Sequence, residues 1–241
     1  MTGNADIQTS PAQGDRTVNR PATGGKSADA SQTLSRGITA LEVLAAAETP
    51  LTIAELSARL GLHRSIVYRM VRTLEDHGLI ARNASGALEL GVGLAALARN
   101  VSRDLQAAAL PELTLVANEL GMTAFLAIID GEGDEAVTLA SVEPRHAVAT
   151  LAQRPGSRHP IGLGAPGRAI RRQLSREVFA APYETSHDEV IAGLSSIAVP
   201  LAVPGHHPAS IAVVYLTQEV DVEEIGTRLE RAAHAIRDEL R

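Results

Sequence analysis

The sequence predicts an α+β protein in two folded parts: a winged helix-turn-helix, then a larger domain built on a largely antiparallel sheet. Three observations carry this. A short helix, Gly61 and a further helix have helix-turn-helix spacing, with two strand-like runs directly after them. Beyond about residue 106, strand-like runs come in groups flanked by helices rather than in βαβ alternation. From Arg59 to Arg82, five arginines stand against Glu75 and Asp76, a local +3 in a chain of net charge −6.

The elements follow in order. Residues 1–30 hold almost no large apolar side chain and cannot bury enough surface to offset ordering entropy, which predicts a disordered tail. Leu34, Ile38, Leu41 and Leu44 then recur at helical spacing and predict a first helix with one apolar face, broken by Pro50. Thr52 and Glu55 have capping-box spacing and open a second helix that runs to about Leu60. Small Ser57 lets the helices approach, and Gly61 permits the turn. A third helix spans about 63–77 and stops at Gly78, a residue suited to a left-handed terminus. Runs at 79–82 and 87–90 around Asn83-Ala84-Ser85-Gly86 predict a hairpin.

Leu94, Leu97, Val101 and Leu105 extend helical spacing over 93–106, a linker helix. The remainder predicts a helix at 110–120, strands at 123–129, 136–142 and 147–151, and a glycine-rich loop. A helix near 168–174, strands at 195–202 and 210–216, and a last helix at 222–240 complete it. The domain boundaries are therefore a tail at 1–30, a winged helix-turn-helix at 31–91, a linker at 92–106 and a sheet domain at 107–241.

Composition narrows the function. Residues 1–105 carry net +1 and residues 106–241 net −7, so any cationic face is local, and arginine forms it because Lys26 is the one lysine. Without cysteine there is no disulfide framework, thiol nucleophile or cysteine-type metal site. No stretch is apolar enough to span a bilayer and no export signal opens the chain, so the expected location is the cytoplasm, with no membrane partner. Two Phe, three Tyr and no Trp offer little for stacking single-stranded bases.

At ~100° per residue, Val67, Met70, Val71 and Leu74 share one side of the third helix. Ser65, Arg69 and Arg72 fall opposite, flanked by Tyr68, His63 and Arg64. This set suits base edges and phosphates in a major groove, and Arg82, Asn83 and Ser85 of the hairpin suit the backbone or minor groove. The alternative is a solvated arginine face on an ordinary helical domain.

The order of these pieces resembles the IclR family of bacterial transcriptional regulators. The likeness lies in Ser31-Gln32-Thr33-Leu34-Ser35-Arg36-Gly37, Leu60-Gly61-Leu62-His63-Arg64-Ser65, Tyr68-Arg69, Leu74-Glu75-Asp76-His77-Gly78 and Leu90-Gly91. Farther on, Ser186, Glu189, Ser196, Ile197, Ala198 and Leu201 fit a second family pattern. The chain departs from that pattern at Pro182, Ala202 and Val203, and its short connection from the Arg168 helix to Ser186 predicts the loss of an edge element.

The resemblance implies a GAF-like effector domain and homodimers or homotetramers on double-stranded operator DNA, as a repressor by family habit. It implies a small-molecule pocket from Val148, Leu151, His159, Ala165, Pro166, Ser186, Leu194, Ser196, Val213 and Tyr215. Val213 and Tyr215 suggest a less polar effector than a keto acid, one with an aromatic group, while the helix start beyond Gly167 would suit an anionic group, so the expected effector is a small organic molecule, aromatic or carboxylate-bearing. Two alternatives stay open: a shortened domain that only oligomerises, and a small-molecule enzyme with an ancillary winged helix.

Several patterns are read as decoys. Gly25-Lys26-Ser27 lacks the first glycine of a P-loop, and Gly162 to Gly167 fits GxGxxG without a preceding strand. Gly91-Val92-Gly93 is read as the join from wing to linker. His187 and Asp188 are adjacent and on an extended strand would point apart, which disfavours a triad. His206-His207 is read as a turn rather than a metal site shared with His159. The expected protein is not an enzyme and needs no cofactor.

Overall fold

The computed structural model describes residues 31–131, 133–146, 151, 153–175 and 181–241. The expected tail, with its P-loop-like segment, lies outside them. The chain divides into two compact units meeting at residues 97 and 98.

The first unit contains α1 (Gln32–Ala45), α2 (Ile53–Leu60), α3 (Arg64–Asp76), β1 (Ile80–Arg82) and β2 (Leu88–Leu90). Its start and stop signals act as the chemistry of the sequence requires. Thr52 Oγ1 accepts the Glu55 amide at 3.2 Å while the Glu55 carboxylate accepts the Thr52 amide at 2.8 Å. The Thr52 bonds hold the Glu55 carboxyl below its ordinary pKa. Gly61 ends α2 at φ +63°. Gly78, at φ +67°, lets the Leu79 amide reach back to Leu74 O at 2.8 Å. Leu56, Val67, Val71 and Leu88 form the fully buried centre.

The face of α1 corrects the sequence expectation. Ala40 and Leu44 are buried, whereas Leu34 is 64% and Ile38 49% exposed. Spacing sets the helical period, but the neighbouring α2, α3 and β2 choose the side that is covered. The wing is antiparallel, from Ile80↔Leu90 to Arg82↔Leu88, and Leu51 bridges Leu88. Gly91 follows because a Cβ there would stand 2.1 Å from Gly78 O.

The linker helix expected over 92–106 is interrupted. α4 (Gly93–Ala98) ends in a turn, and Ser102, at φ +44°, precedes α5 (Arg103–Leu120). The apolar spacing runs through the break, yet only Leu105 is buried; Leu97 and Val101 stay exposed. Where no described residue covers 97 and 101, periodicity alone does not sustain the helix. α5 instead joins the helix expected at 110–120 and continues through Pro111.

The second unit continues with β3 (Thr123–Ile129), β4 (Glu135–Val142), β5 (Arg158–Pro160), α6 (Gly164–Leu174), β6 (Glu184–His187), β7 (Leu194–Leu201), β8 (Ala209–Leu216) and α7 (Val222–Glu239). The six strands run antiparallel in the order β5-β4-β3-β8-β7-β6. α5 and α7 pack on one face through Leu105, Leu113, Leu229 and Ile236; α6 packs on the other through Ala165, Ala169 and Ile170.

Two further expectations change. Residues 158–160, read as loop, form β5 because the edge of β4 supplies pairing from Glu135↔Pro160 to Val137↔Arg158. Too short to alternate, this strand has no periodic signal. Of the strand expected at 147–151, residues 147–150 lie outside the described set. The glycine run begins α6 itself: a Cβ on Gly167 would stand 2.5 Å from Ile161 O, a packing reason for glycine.

Candidate nucleic-acid interface and ligand pocket

In the first unit, the third helix presents its cations outward. His63 caps α3, its Nδ1 accepting the Ser65 amide at 3.3 Å and meeting Ser65 Oγ at 2.9 Å. Arg64, Ser65, Tyr68, Arg69 and Arg72 are exposed, opposite buried Val67 and Val71. Among the described residues, no carboxylate pairs with Arg64, Arg69 or Arg72.

The hairpin residues behave differently. Arg82 Nε donates to Glu75 Oε1 at 2.7 Å and Nη1 to Gly86 O at 3.2 Å. Asn83 Oδ1 accepts the Ser85 amide, the Ser85 hydroxyl and the Ala87 amide at 2.7–3.1 Å. Arg82 and Asn83 thus build the wing as well as edge it, a role that the sequence reading did not include.

In the second unit, a pocket with a cavity volume of about 60 Å³ opens where the α6 start meets the sheet. Ser186, Ser196 and Val214 form one cross-strand row on its floor, since Ser186 pairs with Ser196 and Ser196 with Val214. Leu194 and Phe125 extend the floor, while Gly164, Pro166 and His159 form a wall. Val190 and Ile191, 52% and 58% exposed, edge its mouth.

The structure therefore brings together His159, Pro166, Ser186, Leu194 and Ser196 of the expected set. Ala165 is buried in the core beneath α6. Val213 and Tyr215 lie on the opposite face, in the α5–α7 core, where burial raises the Tyr215 phenol pKa. The reason is strand parity, which brings Val214 to the pocket instead. Leu151 is half-buried against the α6-side core, its carbonyl accepting the Thr123 hydroxyl at 2.8 Å, and does not line the pocket. Val148 lies outside the described residues.

Charge is organised around Glu189, which the resemblance quoted but the expected pocket did not contain. Its Oε2 accepts the Gly164 amide at 3.0 Å, and Arg168 grips both oxygens. Arg168 also meets Glu184 at 3.3 Å and donates to Thr185 O. The Arg168 contact holds the Glu189 carboxyl below the ordinary range, and Glu189 raises the guanidinium pKa in return. Among the described residues, His159 Nε2 is buried without a hydrogen-bond partner, and desolvation lowers the ring's pKa. The sequence cues were a glycine at the helix start and a Glu some 25 residues on, but joining them required the fold.

His187 and Asp188 do meet, contrary to the extended-strand expectation. Asp188 adopts φ +54°, turning its carboxylate to 3.0 Å from His187 Nε2, while Nδ1 lies 3.0 Å from Ser195 Oγ. Thr217 Oγ1 joins this group 2.9 Å from Ser195 Oγ. His206 Nε2 contacts Asp104 at 3.0 Å. Among the described residues no group of three His, Cys, Asp or Glu side chains could hold a metal ion, and no helix is long and apolar enough to cross a membrane.

A capped helix-turn-helix with a wing, followed by a curled antiparallel sheet between helices, defines a helix-turn-helix protein with an appended α+β sheet domain. Residues 33–84 match the IclR helix-turn-helix domain. The chain is 34% identical over 147 residues to the HTH-type transcriptional regulator Rv1719 of Mycobacterium tuberculosis, covering 61% of this chain and 56% of that one. It is 30% identical over 152 residues to the transcriptional repressor IclR of Escherichia coli, covering 61% and 54%. The chain thus spans about half the length of these relatives.

The fold is that of solved IclR structures. The IclR transcriptional regulator from Alicyclobacillus acidocaldarius superposes with a TM-score of 0.72 at 23% identity, over 87% of this chain and 98% of that one. An IclR homolog from Microbacterium hydrocarbonoxydans, complexed with 4-hydroxybenzoate, gives 0.71 at 23% identity, over 86% and 98%. The helix-turn-helix is thus of the IclR type, and the chain is similar in sequence and in fold to IclR-family transcriptional regulators.

Proposed function

We propose that this protein is a ligand-responsive, DNA-binding transcriptional repressor whose affinity for an operator changes when a small organic effector occupies the α6 pocket. The carrying observation is the outward row of Arg64, Arg69 and Arg72, without carboxylate partners among the described residues, beside the Ser65 hydroxyl on a capped helix. Unpaired guanidinium forks suit phosphates and guanine edges. A related repressor and a structural relative holding 4-hydroxybenzoate support the regulatory and effector parts of this reading.

The protein acts in the cytoplasm, without a cofactor and not as an enzyme. It works as a homodimer or homotetramer, and exposed Leu34 and Ile38 support pairing. Each protomer places one α3 in a half-site, and effector occupancy biases the population of operator-competent assemblies.

Titrating the full chain against double-stranded DNA from upstream of its own gene, by fluorescence anisotropy at several salt concentrations, tests the DNA part. Saturable, sequence-dependent binding supports it. Equal affinity for scrambled DNA overturns it.

A further inference from the structure

The pocket beside α6 already contains an anion. A helix N-terminus ordinarily attracts negative ligand groups, because its first amides are unpaired and the helix dipole is positive there. Here the Glu189 carboxylate accepts the Gly164 amide, and Arg168 grips both oxygens of that carboxylate. Glu184 engages Arg168 and Arg172, so the two cations of this cluster face two anions. Among the described lining residues Glu189 is the charged carboxylate, and no Lys or Arg lines the cavity. An entering carboxylate would lose hydration, find the Gly164 amide already taken by Glu189, and meet no Lys or Arg on the described lining to replace its water.

The remaining polarity points to a different group. His159 is 8% exposed and lines the cavity, and its Nε2 is buried without a partner. Burial keeps the ring neutral, so Nε2 either donates or accepts according to tautomer. A ligand hydroxyl serves both cases, since it can accept from N–H or donate to a bare nitrogen. Ser196 has spent its proton on Val213 O at 2.8 Å, leaving an oxygen that accepts. Phe125, Leu194, Val190 and Val214 supply the apolar remainder. The cavity of about 60 Å³ is below the ~150 Å³ that accommodates benzene in an engineered core, so the occupant is small or displaces the mouth residues.

We infer that the effector is a small, uncharged, largely apolar molecule bearing a hydroxyl group that bonds His159 Nε2, and that Glu189 excludes the corresponding carboxylates. This deepens the effector reading above and rests on it.

The test is calorimetric titration of the full chain with two matched pairs, 1-butanol against butyrate and phenol against benzoate. The expected result is saturable binding of at least one alcohol or phenol, with its carboxylate partner at least tenfold weaker. His159→Asn should weaken the neutral probe by tenfold or more. Glu189→Gln, by releasing Arg168, should narrow the preference for the neutral probe over its carboxylate partner at least tenfold. Carboxylates that bind the wild-type chain as tightly as the neutral probes overturn the inference and leave the effector reading standing. If none of the four probes binds, the inference and the effector reading of this pocket fall together.

Discussion

Arg82 of the wing donates to the Glu75 carboxylate of α3 at 2.7 Å, so the hairpin and the helix bearing the exposed arginines are joined by a charge-assisted bond. Arg82→Ala should therefore act in two ways. It removes a cation from the proposed DNA-facing surface, and it releases the wing from α3. We expect a stability loss of about 0.5–1 kcal/mol, modest because both partners are partly exposed. DNA affinity should fall for all sequences alike, with a flatter salt slope. Glu75→Gln separates the effects, since it loosens the wing while keeping the cation. Equal thermal stability of both variants and the parent would refute the brace.

Arg69 and Arg72 carry no comparable structural duty. Alanine at either should leave the melting temperature within about 2–4 °C of the parent, as expected of exposed surface positions. Operator binding should weaken by about 1–3 kcal/mol if the lost contact is bidentate to guanine, with relaxed discrimination at one base pair. Binding selection on randomised DNA reads both quantities.

Glu189 holds the start of α6 to the β6–β7 connection through Gly164 and Arg168. Replacing it with alanine leaves a half-buried guanidinium and a free helix amide, at a cost of about 1–3 kcal/mol. Chemical denaturation of the full chain gives the value. Arg168→Ala should cost a similar amount, and the double variant less than the sum, because both changes remove the same bond.

His159 predicts an acid limb for stability. Its folded pKa lies below the ordinary value of 6.5, so the unfolded chain takes up a proton first as pH falls. The neutral ring costs nothing above that value, and stability declines as pH drops from 6.5 toward the folded pKa. Glu55, Asp104, Glu119 and Glu189 are shifted down from carboxylate values, so their stabilising contributions fade only at lower pH, below about 4.5. Melting temperatures from pH 7 to 5 should fall less steeply in His159→Asn than in the parent. Parallel curves would contradict a buried neutral histidine.

Local signals in the first unit were readable because each rests on a few neighbouring residues. Thr52 with Glu55, Gly61 and Gly78 act within one helical turn, and the three-residue strands flank an asparagine turn that is itself local. Features decided at longer range were harder. The covered side of α1 depends on α2, α3 and β2, and the break at 99–102 depends on whether anything covers Leu97 and Val101. β5 exists through its pairing partner. The pocket was legible as a region, through His159, Pro166, Ser186, Leu194 and Ser196, while Glu189 joined it through a bond spanning 25 residues. Val213 and Tyr215 show the sharpest limit, since a position read one residue away on a strand belongs to the other face.

That parity divides the labour of β8. On β6, β7 and β8 the pocket floor is written in even-numbered positions, Ser186, Leu194, Ser196 and Val214, while Ile197, Val213 and Tyr215 are committed to the helices behind. Ligand preference can therefore drift by substitution at even positions without disturbing the α5–α7 core. A single-residue insertion or deletion in β8 has no such freedom, because it would exchange the two alphabets and place a phenol on the pocket floor.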